Sequence, residues 1–134
     1  MYKRVGLWLD RNKAVIVSII DTGEERKRIT SDMEHYSLYS SIVSEEGTPE
    51  NLRDRRFWNH LGEYYDNIIT YIQDAKAIQI FGPDEAKYEL KKHLESKGLS
   101  EYIVSMEETG KLTDDQIWIK VEERFTARSQ FDIF

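Results

Sequence analysis

The sequence contains no cysteine and only two prolines among its 134 residues. Without cysteine there can be no disulfide framework, thiol nucleophile or thiolate metal site. No apolar run approaches the roughly 20 residues that a membrane-spanning helix needs, and the apolar part of MYKRVGLWLD is too short for a signal peptide. The sequence therefore predicts a soluble, cytoplasmic protein that is not associated with a membrane.

Positive charge is also in short supply, because 25 acidic residues outnumber 19 lysines and arginines and give a net charge of -6. This balance argues against a generic nucleic-acid binder, whose affinity for phosphates comes from accumulated lysine and arginine. Basic clusters interleaved with acids occur at Lys3/Arg4, Arg26/Lys27/Arg28, Arg53/Arg55/Arg56 and Lys87/Lys91/Lys92. They are explained most simply as solvated faces, unless folding gathers some of them into a ribosome-binding surface.

The first third of the chain has the pattern of three strands. Residues 4–9 alternate between two faces, with Trp8 opposite Leu7 and Leu9, and residues 14–20 are a nearly continuous β-branched run typical of a buried strand. Residues 25–30 are too polar for a central strand and fit an edge. Short turns separate the three segments, which predicts an antiparallel meander.

A long irregular stretch begins at Ser31 and ends at Asn51, and a helical pattern follows from residue 49 to residue 74. Loops of this length in compact domains are functional or disordered, and the sequence does not choose between the two. In the helical segment, apolar residues recur at three- and four-residue spacing and form one broad stripe. Gly62 lies within this helix and predicts close packing against the sheet.

A strand–turn–helix unit from residue 76 to residue 98 is the clearest element of the sequence. A buried strand at residues 76–81 leads into Gly82-Pro83, and Pro83 suits the first position of a helix that Gly98 closes in the left-handed conformation. A fifth strand is predicted at residues 102–106. Thr113-Asp114-Asp115-Gln116 then matches a capping box at the start of the last helix.

The element order βββαβαβα is that of the ribonuclease H-like fold, an α/β architecture with a mixed five-stranded sheet and helices on its faces. Right-handed crossovers place the later strands beyond the first strand. We expect one domain over residues 1–134, with a C-terminal tail at residues 126–134. The tail ends in Phe131-Asp132-Ile133-Phe134, which predicts docking on its own domain or on a partner subunit and makes a homo-oligomer one alternative.

A fold of this order calls for a search for metal-binding carboxylates, because its nucleases hold divalent ions with acids at strand ends. Asp10, Glu63, Asp84 and either Asp114 or Asp115 lie in loosely corresponding elements. Asp10 lies at a turn, however, and Asp84 and Asp114 are explained as residues of the first helical turn. A metal-dependent nuclease or phosphodiesterase is therefore an alternative hypothesis, and we assign no catalytic residue, metal ligand or cofactor.

Three other features have both a structural and a functional interpretation. Gly82-Pro83 at a helix start could bind an anion through free N–H groups, but Asp84 and Glu85 would repel phosphate. His35, His60 and His93 lack metal-ligand spacing, and the latter two fit helix edges. The aromatic residues are predicted to fill the core instead of stacking on bases; they are Trp8, Phe57, Trp58, Tyr64 and Tyr65.

Three segments together, WLDRNKA at residues 8–14, IFGPDEAKYELKKHL at 80–94 and EETGKLTDDQI at 107–117, resemble a family of small, largely uncharacterised bacterial proteins. That family is similar to the middle domain of class I release factors and Pelota proteins, also described as translational machinery component-like. In release factors the corresponding loop carries a Gly-Gly-Gln tip. Residues 31–51 contain no such tip and a single glycine, Gly47. The resemblance thus implies a non-enzymatic ribosome- or RNA-associated role, without peptidyl-tRNA hydrolysis.

Overall fold

The computed structural model describes residues 2–32 and 50–127, with side chains described from residue 55 onward in the second range. It contains five strands and three α-helices over these ranges: β1 Arg4–Leu9, β2 Lys13–Ile20, β3 Gly23–Thr30, α1 Glu50–Ile72, β4 Ala77–Gly82, α2 Ala86–Ser96, β5 Ile103–Glu108 and α3 Asp114–Glu122. A 3₁₀ turn at Ser100–Tyr102 precedes β5, and a π-helical turn at Glu123–Ala127 follows α3. No helix among the described residues is long and apolar enough to cross a membrane.

The five strands form one mixed sheet in the order β3-β2-β1-β4-β5. β1 pairs antiparallel with β2 and parallel with β4, so that Leu7 lies opposite Ile16 on one side and Ile80 on the other. β3 pairs antiparallel with β2, and β5 pairs parallel with β4. This arrangement is consistent with a ribonuclease H-like fold and confirms the fold class predicted from the element order.

One face of the sheet, the α1/α2 face, is covered by the two longer helices. Alternate residues of β1 point to this face, as the period of two predicted. They meet an apolar stripe from α1 and α2, and all of these side chains are buried: Val5, Leu7, Leu9, Ile16, Ile78, Ile80, Leu61, Tyr65, Ile68, Ile69, Ile72, Leu90 and Leu94.

The opposite face, the α3 face, is covered by one short helix and the turn after it. Trp8 and Phe81 from the sheet pack there against Ile117 and Val121 of α3 and against Phe125. Gly6 allows this approach, because a Cβ at that position would lie only 2.3 Å from Cγ2 of Val121. α3 therefore sits close to the centre of β1.

Two predicted helix ends are confirmed. The Thr113 side chain accepts the backbone N–H of Gln116, and the Gln116 side chain accepts the N–H of Thr113, which is a complete capping box. Gly98 has a φ of 73°. Its N–H donates to the carbonyl of Glu95 at 3.1 Å, and the Leu99 N–H donates to the carbonyl of Leu94 at 2.9 Å. These two bonds form a Schellman motif at the end of α2.

Helix α2 begins later than predicted, at Ala86 and not at Pro83. The Asp84 side chain accepts the N–H of Ala86 at 2.8 Å and holds the preceding residues in a turn. Aspartate competes with the helix in this way because its short side chain bonds to nearby backbone. Gly82 is thus the last residue of β4, and Pro83 lies in the turn that follows it.

The structure also differs from the sequence predictions for individual side chains. Lys87, expected on the outside, is only 1% exposed, whereas Trp58, expected in the core, is 52% exposed. A Cβ on Gly62 would meet His93 of α2 at 3.5 Å and not the sheet. β5 begins one residue later and ends two residues later than predicted, at Glu108. Most of the predicted 31–51 loop and residues 128–134 of the predicted tail lie outside the described residues.

Candidate functional site

The loops at one edge of the sheet come together around a cavity. β1, β4 and β5 run parallel and end at this edge, and β3 ends there too because two antiparallel pairings restore its direction. We call it the carboxyl edge. Open α/β sheets bind ligands outside the carboxyl ends of their strands, so this edge is the first place to search for a site.

A cavity of about 530 Å³ opens at the carboxyl edge on the α3 face. Its volume falls within the range of roughly 300–1,000 Å³ that is usual for ligand sites. The lining residues are Trp8, Asp10, Asn12, Lys13, Thr30, Asp32, Lys111 and Leu112. Because two lysines and two aspartates face the same space, the cavity suits a ligand or strand that presents polar groups of both signs.

Trp8 is the fixed part of the cavity wall, with only 1% of its surface exposed. Its Nε1 donates to the carbonyl of Gly110 at 3.1 Å and thereby ties β1 to the loop before α3. The Lys13 Nζ lies 5.5 Å from the centre of the indole ring, within the range of a cation–π interaction. Among the described residues neither Lys13 nor Lys111 forms an ion pair, so both ammonium groups can meet an anion.

The two aspartates of the cavity have different roles. Asp10 Oδ1 accepts the backbone N–H groups of Asn12 and Lys13, both at 2.8 Å, and shapes the β1–β2 turn. Asp32 has a φ of 60°, in the left-handed region where aspartate is tolerated better than most residues. It is exposed and follows the end of β3.

On the α1/α2 face, the same edge carries a network around Glu89. Arg11, from the β1–β2 turn, donates to both carboxylate oxygens of Glu89, with its Nε at 3.1 Å from Oε1. The Tyr65 hydroxyl donates to Oε1 at 2.5 Å. The Arg11 and Glu89 side chains are 36% and 19% exposed, so the pair is partly desolvated and holds the turn against α2.

The pKa values of this network follow from its geometry. Burial alone would raise the pKa of Glu89, but the hydrogen bonds from Arg11 and Tyr65 outweigh it and hold that pKa below its usual range. The hydrogen bond to Glu89 raises the pKa of Arg11, against the effect of burial. Burial, followed by the bond to Glu89, raises the pKa of Tyr65. Glu89 is therefore ionised at neutral pH, and Tyr65 remains a neutral donor.

Trp58 lies beside this network on the surface of α1. The Arg11 guanidinium carbon is 5.3 Å from the centre of its indole ring, and Phe57 packs edge-on with ring centres 5.1 Å apart. The side chain is nevertheless 52% exposed. It is a large aromatic surface held in place at the carboxyl edge.

The carboxylates considered for a metal centre are not brought together. Asp10 shapes its turn, and Asp84 accepts the N–H of Ala86 in the turn before α2. Asp114 binds the guanidinium of Arg28, and Asp115 lies 4.0 Å from Arg26. Glu63 is exposed on α1. Over residues 2–32 and 55–127, no group of three or more histidines or acids could hold a metal ion.

The anion site considered at Gly82-Pro83 has a different structural role. A Cβ on Gly82 would lie 2.1 Å from the backbone oxygen of Leu9, so glycine is needed for β4 to pass close to β1. The buried Lys87 Nζ donates to the carbonyl of Asp84 at 2.7 Å and lies 3.6 Å from Glu108. This lysine supports the turn from within.

The histidines and aromatic residues divide between structural and exposed positions. His93 Nδ1 contacts Asp66 at 3.1 Å, and His60 Nε2 contacts the carbonyl of Ser31 at 2.5 Å, so both join helices to neighbouring elements. His35 lies outside the described residues. Trp8, Tyr64 and Tyr65 are buried as predicted, whereas Phe57 is only partly buried and Trp58 is exposed.

Arg11, Glu89 and the exposed position of Trp58 were missed by sequence reasoning. Arg11 follows Asp10 in a turn, and Glu89 lies 78 residues later on a helix, so no local pattern connects them. The only signal was the cluster of Trp58 with Arg55 and Arg56 in one helical turn. Helical periodicity assigned that tryptophan to the apolar stripe.

The fold of this chain matches parts of three solved structures. It matches the Pelota protein of Thermoplasma acidophilum with a TM-score of 0.56 at 12% identity, over 96% of this chain and 34% of that one. Archaeoglobus fulgidus Pelota matches with a TM-score of 0.57 at 11% identity, over 98% and 34%. An archaeal translation termination factor matches with a TM-score of 0.50 at 15% identity, over 98% and 40%.

The chain thus spans little more than a third of the length of these structures. At such identities the matches establish a shared fold, and the predicted resemblance to the release factor/Pelota domain is confirmed at that level. No protein-family model matches the sequence, and no curated protein matches it.

Proposed function

We propose that this chain is a translation-related domain that binds the ribosome or RNA in the cytoplasm without catalysing a reaction. The observation that carries the proposal is the fold match, which covers at least 96% of this chain in each of the three structures. Two of the matched proteins are named Pelota and the third a translation termination factor. The chain corresponds to 34–40% of each larger protein, so the comparison concerns one part of those proteins.

The sequence supports a binding role over a hydrolytic one. Residues 31–51, which follow β3 in the sequence, contain no Gly-Gly-Gln. Function on a shared fold depends on the residues of its site. Here those residues include Lys13 and Lys111, two cations around a cavity that form no ion pair with any other described residue.

Charge distribution supports the same edge as the binding surface. The overall charge of -6 gives little general attraction for phosphate, so binding has to depend on local cations. The cavity lysines and Arg11 in the adjoining turn lie together at the carboxyl edge. We infer that this edge faces the RNA.

Sedimentation through a sucrose gradient at low salt tests the proposal. Lysate from growing and from starved cells is fractionated, and the protein is followed by immunoblotting. We expect a fraction to migrate with ribosomal particles and to shift to the top of the gradient at high salt, since phosphate contacts release counterions. A protein that stays in the ribosome-free fractions under both conditions contradicts the proposal.

A matched pair of variants locates the contact. Lys13→Gln with Lys111→Gln removes two charges from the carboxyl edge, whereas Lys76→Gln with Lys97→Gln removes two from the opposite edge. We expect the first pair to lower the ribosome-bound fraction and the second to leave it unchanged. Equal losses from both would show that general charge, and not the carboxyl edge, controls association.

A further inference from the structure

Trp58 is the most exposed tryptophan of the described residues, and it differs from the other two in the hydrogen bonding of its indole N–H. Trp8 is buried and donates to Gly110. Trp118 is half-buried and donates to Glu24. Trp58 is 52% exposed, and within the described part of the chain its Nε1 makes no hydrogen bond. Tryptophan exposed to this extent is common at contact surfaces, where one face packs and the other is free.

The ring is held rigidly from one side. Arg11 lies 5.3 Å from its centre, and Glu89 fixes the arginine through both carboxylate oxygens. Phe57 packs against it edge-on. A rigid aromatic group loses little conformational entropy on binding, so it is suited to stacking.

The surroundings of the ring are polar and positive. Arg55 lies three residues before Trp58, one helical turn away, and Asn59 follows it; both side chains are exposed. Within the described residues, neither Arg55 nor Arg56 forms an ion pair. An apolar protein partner would need a wider apolar surface than one tryptophan offers, whereas phosphate next to a base matches both the ring and the cations.

We propose that Trp58, Arg11, Arg55 and Asn59, here called the Trp58 surface, bind an unpaired RNA base and its adjacent phosphate. The base stacks on the free part of the indole, as unpaired bases do on aromatic side chains. Arg55, one helical turn before the ring, meets the phosphate. This inference rests on the proposed function and specifies where single-stranded RNA enters the carboxyl edge.

The position of Arg11 connects the Trp58 surface with the cavity. Arg11 lies in the turn between β1 and β2, and the next two residues, Asn12 and Lys13, line the cavity. A strand stacked on Trp58 therefore has a short path across this turn towards Lys13 and Lys111. The two sites thus adjoin around the end of β1, with Lys13 and Lys111 as the cations of the cavity.

Fluorescence anisotropy with a fluorescein-labelled single-stranded 12-nucleotide oligouridine tests the proposal on the full chain at low salt. We expect Trp58→Ala to weaken binding by roughly 5- to 100-fold, the range for loss of one base–aromatic stack. Arg55→Gln should lower the slope of log affinity against log salt by about 0.7, the value for one single-strand phosphate. Thermal unfolding confirms that each variant is folded.

Tyr71→Ala is the matched control. Tyr71 lies on the same helix, is 38% exposed and has the Lys27 ammonium 5.2 Å from its ring centre, but it lies at the opposite end of α1. We expect its affinity for the oligonucleotide to equal that of the unchanged protein. A second measurement uses tryptophan emission in a Trp118→Phe background, in which exposed Trp58 should be quenched by the RNA.

The outcomes separate this inference from the proposed function. If Trp58→Ala binds the oligonucleotide as tightly as Tyr71→Ala, the Trp58 surface is not an RNA site, although ribosome association can still hold. If Trp58→Ala abolishes ribosome association while the unchanged protein binds no oligonucleotide, the surface contacts a ribosomal protein and the RNA inference is wrong. A chain that binds neither RNA nor ribosomes overturns both.

Discussion

The two faces of the sheet are stabilised in different ways. Eighteen buried residues form the core on the α1/α2 face, against nine on the α3 face among the described residues. The larger core gains most from apolar area removed from water. The smaller one depends on close steric fit around Gly6 and on the cap that starts α3. It also contains Gln79 Oε1, buried with no hydrogen-bond partner among the described atoms.

This difference shows how one sheet can have a well-packed core on one face and a cavity on the other. The long helices hold the Arg11–Glu89 network, while the short α3 leaves room at the carboxyl edge for the cavity. Four substitutions test the contrast, and the expected effects decrease from the first to the last.

Leu61→Ala should have the largest effect. Leu61 is 0% exposed in the core of the α1/α2 face, and truncation of such a leucine costs about 3 kcal/mol through lost burial and the cavity left behind. Urea denaturation measures the loss. Val104→Ala is the control, because Val104 is 45% exposed and should change stability by less than about 1 kcal/mol. A smaller loss for Leu61→Ala than for Val121→Ala would contradict the contrast between the faces.

Gly6→Ala tests steric fit on the α3 face. The added Cβ would lie 2.3 Å from Val121 Cγ2 and 2.8 Å from Gln79 Oε1, and overpacking of this kind costs about 2 kcal/mol. Combining it with Val121→Ala should restore part of the loss, because the two changes share one space. Strict additivity in the double variant would show that α3 is free to move away. Gly110→Ala is the control, since a Cβ there meets nothing within 4 Å.

Glu89→Gln should destabilise the protein by about 2 kcal/mol at pH 7, because it leaves the Arg11 guanidinium without its carboxylate. The pKa of Glu89 is lower in the folded state, so its contribution is fully present above the ordinary pKa of about 4.3 and disappears as pH falls through the lowered folded-state value. Denaturation at pH 7 and in this acidic range should therefore show that the difference in the free energy of unfolding between variant and parent becomes smaller as the pH falls.

The control for this change is Asp74→Asn. Asp74 binds Lys3 at 2.9 Å, but its side chain is 69% exposed, and such surface pairs contribute only about 0.5 kcal/mol. If the difference in the free energy of unfolding between Glu89→Gln and its parent instead stays the same through the acidic range, the ionised carboxylate is not the source of the stability.

Thr113→Ala should have the smallest effect, about 1 kcal/mol, through loss of the N-cap of α3. Calorimetry should show a lower melting temperature, and hydrogen exchange should be faster in the first turn of α3 than in α2. Thr109→Ala is the control, because among the described residues that hydroxyl bonds to nothing but the neighbouring Gly110 carbonyl. Equal effects of both threonines would show that the cap does not stabilise the α3 face.

Local patterns were sufficient to predict the strands, the helices and two of the helix ends, but not the start of α2. Alternation in β1, the apolar stripe of α1, Gly98 and the Thr113 box all concern residues within a few positions of one another. The predictions were wrong where residues from other elements determine whether a side chain is buried. The buried Lys87 of α2 donates to the Asp84 carbonyl and forms an ion pair with Glu108, which comes from β5.

The candidate site was less predictable than the fold. The sequence singled out separate carboxylates and histidines as candidates, yet Asp10 and Asp84 stabilise turns and Asp114 forms a surface ion pair with Arg28. The cavity lysines and the Arg11–Glu89–Tyr65 network are formed by residues from different elements. Their spacing along the chain has no regular period, so sequence inspection has no rule to detect them.

The sequence by itself determined the element order and, through the handedness of βαβ crossovers, the order of strands in the sheet. Hydrophobic periods and end signals are local, so they can be read directly. Only the tertiary structure decided that Trp58 faces water, that Arg11 reaches Glu89 and that Lys13 and Lys111 share a cavity. Those contacts depend on how three strand ends and two helices converge at the carboxyl edge, which no single segment encodes.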